Sequence, residues 1–134
     1  TRRIFLITGD GELAEGSNWE AALAAAHYGL DNLVIINDKN NLQLAGPTRE
    51  IMNTDPLADK WRAFGMAVSE CEGNDMASLV AAIEGLKQEG KPNVIIANTT
   101  KGAGISFIQG RPEWHHRVPK GEEIALALEE LKDE

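Results

Sequence analysis

Gly9-Asp10-Gly11 and Asn40-Asn41, with 28 residues between Gly11 and Asn40, bring together residue types suited to holding a hard metal ion against a diphosphate. Magnesium takes about six oxygen ligands in near-octahedral geometry and shares its shell between one or two side chains and phosphate oxygens. Asp10 offers a charged oxygen and Asn40 a neutral one. Gly9 and Gly11 let backbone and phosphate approach closely, and an amide at the start of a following helix donates to an anionic oxygen. No cluster of carboxylates is needed. The same residues also suit plainer roles, Asp10 as a cap or turn aspartate and Asn40 as a left-handed turn residue.

Both ends of the interval follow apolar runs. Arg3 to Thr8 (RIFLIT) reads as a strand buried on both faces of a parallel sheet, and Leu33 to Asn37 (LVIIN) as a second. Between them, Ser17 and Glu20 have capping-box spacing ahead of an Ala-rich stretch to Tyr28, which predicts a helix stopped by Gly29 and Asp31-Asn32. Strand, helix and strand make one crossover unit, expected to be right-handed. Asp55-Pro56 opens a short helix through Phe64, and Gly65 to Cys71 reads as a third strand although Glu70 interrupts its apolar character. Asn74 or Asp75 caps a helix through Gln88, with Leu79, Ala82, Ile83 and Leu86 at helical spacing and Gly90 at its end. Asn93 to Asn98 (NVIIAN) is a fourth strand, Thr99 to Pro119 lacks periodicity, and Glu122 to Lys132 places Ile124, Leu128 and Leu131 on one helical face.

This alternation predicts an α/β fold, a doubly wound and mainly parallel sheet with helices on both faces, in which ligands collect beyond the C-terminal strand ends. Asp10, Asn40 and the Thr99–Gly104 loop each follow a strand, so one crevice is expected to receive all three. The 134 residues, 43% of them hydrophobic, suffice for one core and are expected to form a single domain. A formal charge of −8 without a dense basic stripe argues against nucleic acid, and anionic substrates then need local compensation. No apolar run is long enough to cross a bilayer and no secretory signal opens the chain, so a cytoplasmic protein is expected. Cys71 has no partner for an internal disulfide and reads as part of a strand, while His27 in the Ala-rich helix reads as structural.

GDG, the spacer and the NN pair resemble the thiamine-diphosphate motif, and more of the chain agrees. The segment GDGELAEGSNWEAALAAAHYGLDNLVIINDKNNLQLAGPT, the later TTKGAGISF and the tail WHHRVP resemble the N-terminal, diphosphate-binding part of transketolases, especially those split over two chains. The WH tail favours transketolase or a deoxyxylulose-phosphate-synthase-like relative over a ketoacid dehydrogenase component. The resemblance implies that Asp10, Asn40 and the backbone oxygen of Leu42 bind magnesium, with two diphosphate oxygens and a water completing the shell. It also implies that Gly9, Gly11, Leu44 and Lys101 belong to the thiamine diphosphate site, and that His115 stands near the diphosphate and the reacting carbon to assist proton transfer. His116 stands where many family members have glycine. Glu15 and Glu20 match two acidic residues of a carboxylate relay at the dimer interface, although Glu20 equally fits the capping role.

The resemblance further implies a partner, because the aminopyrimidine half of the cofactor site belongs to a pyrimidine-binding domain that no segment here resembles. A C-terminal transketolase subunit is expected to supply it, in a dimer of heterodimers that moves a two-carbon ketol unit between sugar phosphates. Residues ahead of Thr1 are expected to be missing, since the family has a further glycine-bearing segment and another histidine before GDG. Two other readings stay open on sequence grounds. Gly9 to Ala14 also fits GxGxxA, with Asp38 placed to bind a ribose in a nicotinamide dinucleotide module. The chain also fits a non-catalytic assembly subunit that keeps the fold as a dimerisation surface.

Overall fold

Strand runs and helical stripes alternate along the chain much as the periodicity predicts. The computed structural model describes residues 2–87 and 89–132. In chain order the elements are β1 (Ile4–Gly9), α1 (Gly16–His27), β2 (Leu33–Lys39), a short hairpin of β3 (Leu42–Gln43) and β4 (Gly46–Pro47), α2 (Thr48–Ile51), α3 (Leu57–Ala63), β5 (Ala67–Glu72), α4 (Met76–Glu84), β6 (Asn93–Asn98) and α5 (Glu122–Glu130). Short 3-10 turns at Glu12–Ala14 and Pro112–His115 join them.

The main sheet is parallel throughout, in the order β1-β2-β6-β5. Because successive strand residues face opposite sides, β2 and β6 feed two separate cores. Ile35, Val94 and Ile96 pack with Leu13, Ala22, Ala25, Leu57 and Trp61, so α1 and α3 cover one face. Val34, Ile95 and Ala97 pack with Cys71 and with Leu79, Ala82, Ile83 and Leu86, so α4 covers the other. Trp19 of α1 meets Trp61 and Phe64 at ring-centroid distances of 4.9 and 5.2 Å, which ties α1 to α3. The expected α/β architecture is what forms. Cys71 is a buried residue of β5, as read from its flanks, and burial pushes its thiol pKa up, so it is poorly suited to nucleophilic work.

Several local expectations are corrected. β1 is not buried on both faces: it is an edge strand among the described residues, with Ile4 57% and Ile7 71% exposed. Its apolar sequence reports a strand that wants cover, and β2 alone supplies only one neighbour. No capping box starts α1; the helix begins at Gly16 with Glu15 at the N-cap position and no side-chain cap, so Glu20 has no capping partner in Ser17. α4 does start as read, with Asp75 Oδ1 accepting from the Ala77 amide at 2.9 Å. It ends at Gly85 rather than at Gly90, and Gln88 lies outside the described residues. α5 is amphipathic, yet only Ala127 is buried while Ile124, Leu128 and Leu131 are exposed. Ser106 holds this helix by donating from its amide and its hydroxyl to Glu130, each at 2.6 Å.

Candidate functional site

β1, β2 and β6 end side by side, in register at Gly9 and Asp38 and at Asp38 and Ala97. Their C-terminal loops therefore open on one crevice, as a parallel sheet with alternating crossovers requires. The approach is pinned just below it by the buried Asn37, whose Nδ2 donates to the Thr8 carbonyl at 3.3 Å and to Thr8 Oγ1 at 3.2 Å.

Asp10 occupies the first strand end and is 1% exposed. Its Oδ1 accepts from the Gly11 amide at 2.8 Å and its Oδ2 from the Asn41 amide at 2.6 Å, so the carboxylate bridges the loops after β1 and β2. Burial raises its pKa above the usual carboxylate range; those two amides oppose the shift, Asp38 adds to it and Lys39 works against it. A buried carboxylate held in this way gains when a cation arrives. Asn41, not Asn40, takes the left-handed backbone conformation, with φ at 60°, and it is this turn that aims its amide at Asp10. Asparagine tolerates that conformation through its short polar side chain, which is why the NN pair divides its labour.

Asn40 keeps its side chain for the crevice. Its Nδ2 donates to Asp38 Oδ2 at 3.2 Å and its Oδ1 accepts from the Leu42 amide at 2.9 Å. Gly11 has a steric reason to lack a side chain, since a Cβ there would lie 2.5 Å from Gln43 Cβ. At Gly9 a Cβ would meet no protein atom within 4 Å, so that position faces open space.

The crevice encloses about 520 Å3 and is lined by Gly9, Asp10, Gly11, Asn40, Leu42, Leu44, Lys101 and His115, every residue expected to hold metal or cofactor. Glu15 also lines it. Glu20 does not: it is exposed on α1, and among the described residues no hydrogen bond joins it to Glu15. His115 ends the second 3-10 turn, whose buried Trp114 is packed between Phe107 and the Arg117 guanidinium, 4.2 Å from the indole centroid. Lys101 Nζ lies 3.5 Å from His115 Nδ1, and an ammonium can only donate, so that contact leaves Nε2 to carry the proton of a neutral ring. His116 stacks edge-on against His115 and is exposed, as is His27. Sequence reasoning missed Glu12 and Gln43, and placed Asp38 only as a ribose ligand in the dinucleotide reading. All three line the crevice, and Asp38 was legible as the first member of an Asp-x-Asn at a strand end.

Four carboxylates, those of Asp10, Glu12, Glu15 and Asp38, thus face a crevice whose lining cation, among the described residues, is Lys101. An anion entering alone would be repelled, whereas a divalent ion offsets both the wall and its ligand. Among the described residues no three His, Cys, Asp or Glu side chains converge as a metal cage, so a cation here would have to draw on one carboxylate, one amide oxygen and backbone. That donor set of oxygens suits magnesium.

Comparison with known proteins decides the family. The family described as "Transketolase, thiamine diphosphate binding domain" matches residues 1–132. The chain belongs to this family. Over 133 residues it is 71% identical to one of the subunits that make up the apulose-4-phosphate transketolase of Actinobacillus succinogenes, covering 99% of this chain and 48% of that protein. It is 42% identical over 132 residues to a 6-deoxy-6-sulfo-D-fructose transketolase subunit of Clostridium sp. (strain MSTE9), covering 98% and 48%. Its backbone is similar to that of a crystal structure of transketolase from Campylobacter jejuni, with a TM-score of 0.87, 32% identity, and 96% of this chain and 20% of that one covered. The chain therefore spans about half the length of the curated relatives it matches. This membership sets aside the dinucleotide-module reading of GxGxxA. Among the described residues no helix is long and apolar enough to cross a membrane.

Proposed function

We propose that this chain supplies the diphosphate half of the active site of a split, thiamine-diphosphate-dependent transketolase. The observation that carries the reading is the buried, doubly hydrogen-bonded Asp10 set beside Asn40 in a crevice rich in carboxylates. Asp10 Oδ, Asn40 Oδ1 and the Leu42 carbonyl would hold magnesium and Lys101 would face the diphosphate, whereas the Gly11 amide, expected to donate to the diphosphate, is engaged by Asp10 Oδ1 instead. Leu44, exposed at the rim, packs against the cofactor. Bound thiamine diphosphate supplies the carbanion chemistry, which no side chain of this domain provides. The chain's own part is to anchor, to orient and to manage protons. His115, its Nδ1 turned to Lys101, has Nε2 free to hold or pass a proton. Glu15 and Glu20 serve the relay toward the partner, Glu15 from the crevice wall and Glu20 from the exposed face of α1.

The whole enzyme transfers a two-carbon ketol unit from a ketose phosphate to an aldose phosphate. Residues 1–134 act as one diphosphate-binding domain, and a C-terminal subunit brings the pyrimidine-binding domain in a dimer of heterodimers. The names of the relatives, which are subunits of transketolases for apulose 4-phosphate and 6-deoxy-6-sulfofructose, support a substrate of that general class. The reaction takes place in the cytoplasm, where an unpaired Cys71 stays reduced. The test mixes the full-length polypeptide and its partner subunit with magnesium, thiamine diphosphate and a panel of ketose and aldose phosphates. Transfer is expected for at least one pair and is expected to vanish in Asp10→Ala. No transfer over a broad panel contradicts the enzyme reading, and undiminished transfer in Asp10→Ala contradicts the site.

A further inference from the structure

Asn40 can serve a cation only if its amide oxygen, and not its NH2, faces the ion. The two ends of a carboxamide are almost the same size, so packing alone does not choose between them. The choice falls to hydrogen bonds, and in this chain Asp38 makes the decisive one.

Asp38 is acceptor-only, so the end of Asn40 that meets Asp38 Oδ2 at 3.2 Å must be the nitrogen. Turning the amide over would set its oxygen against a carboxylate and its NH2 against the Leu42 N–H, which now donates to Oδ1 at 2.9 Å. Both contacts would become repulsive. In the observed orientation Oδ1 uses one lone pair on Leu42 and keeps the other. Asp38 is itself held: its Oδ1 accepts from Thr99 Oγ1, at the end of β6, and its carbonyl accepts from the Asp10 amide at 3.0 Å. The Thr99 amide in turn donates to the Lys39 carbonyl at 3.1 Å. One residue thus joins the three loops that follow β1, β2 and β6.

Resting on the magnesium reading above, we infer that Asp38 is a positioning residue of this site: clamped by Thr99, it fixes the Asn40 amide with its oxygen available to the metal. Partners of this kind orient metal ligands generally, and losing one typically costs about 10–100-fold in metal affinity. The low end of that range is expected here, because the Leu42 amide continues to favour the same orientation.

The experiment measures magnesium-dependent binding of thiamine diphosphate by calorimetry, on the full-length polypeptide with its partner subunit, together with melting curves that report folding. Asp38→Leu removes both acceptors and is expected to weaken binding about tenfold. Asp38→Asn removes the charge but keeps the pairing, its oxygen accepting from Asn40 and its NH2 donating to the Thr99 hydroxyl, so it stays within about threefold of the parent. Asn40→Asp presents oxygen at either end, so adding Asp38→Leu to it costs less than about twofold. Equal losses in Asp38→Leu and Asp38→Asn would make the effect one of charge and overturn the inference. So would a full tenfold loss from Asp38→Leu in the Asn40→Asp background, which would mark a loop-holding role. Asp10→Ala separates the metal site from the positioning role. If it binds as the parent does, the metal reading fails; if it abolishes binding while Asp38→Leu does not weaken it, only the role of Asp38 fails.

Discussion

β6 and β1 carry nearly interchangeable sequences, VIIA and IFLI, in parallel strands of one sheet, yet their fates in this domain are opposite. Val94 and Ile95 of β6 are wholly buried between two helical layers, while the middle of β1 stands open at the sheet edge. An apolar run without alternation says that a strand is built for cover on both faces. It does not say what provides the cover. The difference is confined to the strand bodies, because at its C-terminal end β1 becomes as buried as β6: Thr8 and Asp10 are enclosed by their bonds to Asn37, Gly11 and Asn41. The site end of the edge strand is firm although its flank is bare.

The sharpest way to break that comparison is to cut both strands equally. Ile95→Ala leaves a cavity in a packed core and is expected to cost about 2–5 kcal/mol. Ile7→Ala removes side-chain area that is mostly exposed and is expected to cost less than about 1 kcal/mol in a polypeptide of residues 1–134. Urea midpoints measure both. A large Ile7→Ala cost appearing only in the full-length protein with its partner would show that β1 is covered there.

The next effect falls at the end of β1 rather than along it. Gly11→Ala drives a methyl to within 2.5 Å of Gln43 Cβ and is expected to cost about 1–3 kcal/mol through overpacking. It should also weaken thiamine diphosphate binding by more than this loss of stability explains, since the loop that moves carries the amide that holds Asp10 Oδ1. Calorimetry on the folded variant checks it, and unchanged affinity would free Gly11 from the site.

A smaller effect comes from Asp10 and runs against the habit of carboxylates. Its pKa is raised in the folded chain, so the fold prefers the protonated form. Its contribution to stability is then greatest at acid pH and declines as pH rises from the ordinary carboxylate range through the raised value. Without magnesium, the stability of the parent relative to Asp10→Ala should fall with rising pH, as urea midpoints at a series of pH values would record. Magnesium binding needs the ionised form, so affinity should strengthen over the same window. A relative stability that rises with pH would mean that the amides of Gly11 and Asn41 outweigh burial.

How far the sequence discloses all this depends on the range of the interactions involved. Periodicity and apolar runs are local, so the four main strands, the stripe of α4 and the Asp75 cap were legible. The convergence of Asp10, Asn40 and Lys101 was legible too, because parallel strands with alternating crossovers gather their C-terminal loops regardless of side-chain detail. Strand order is a long-range outcome, and nothing in IFLI distinguishes an edge from a centre. The α1 start was misread because Ser17 and Glu20 match a spacing, whereas the chain enters the helix from a 3-10 turn that had no periodic signal. The division of work between Asn40 and Asn41 lay hidden in backbone angles, and the part of Asp38 lay in bonds reaching 61 residues along the chain to Thr99.

The central claim is that the firm end of the edge strand is a magnesium-dependent diphosphate site. Titrating thiamine diphosphate into the full-length polypeptide with its partner subunit, with magnesium, with a chelator, and with magnesium in Asp10→Ala, tests it directly. Saturable binding in the first case and its loss in the other two is the expected result. Equal affinity in all three would contradict the account.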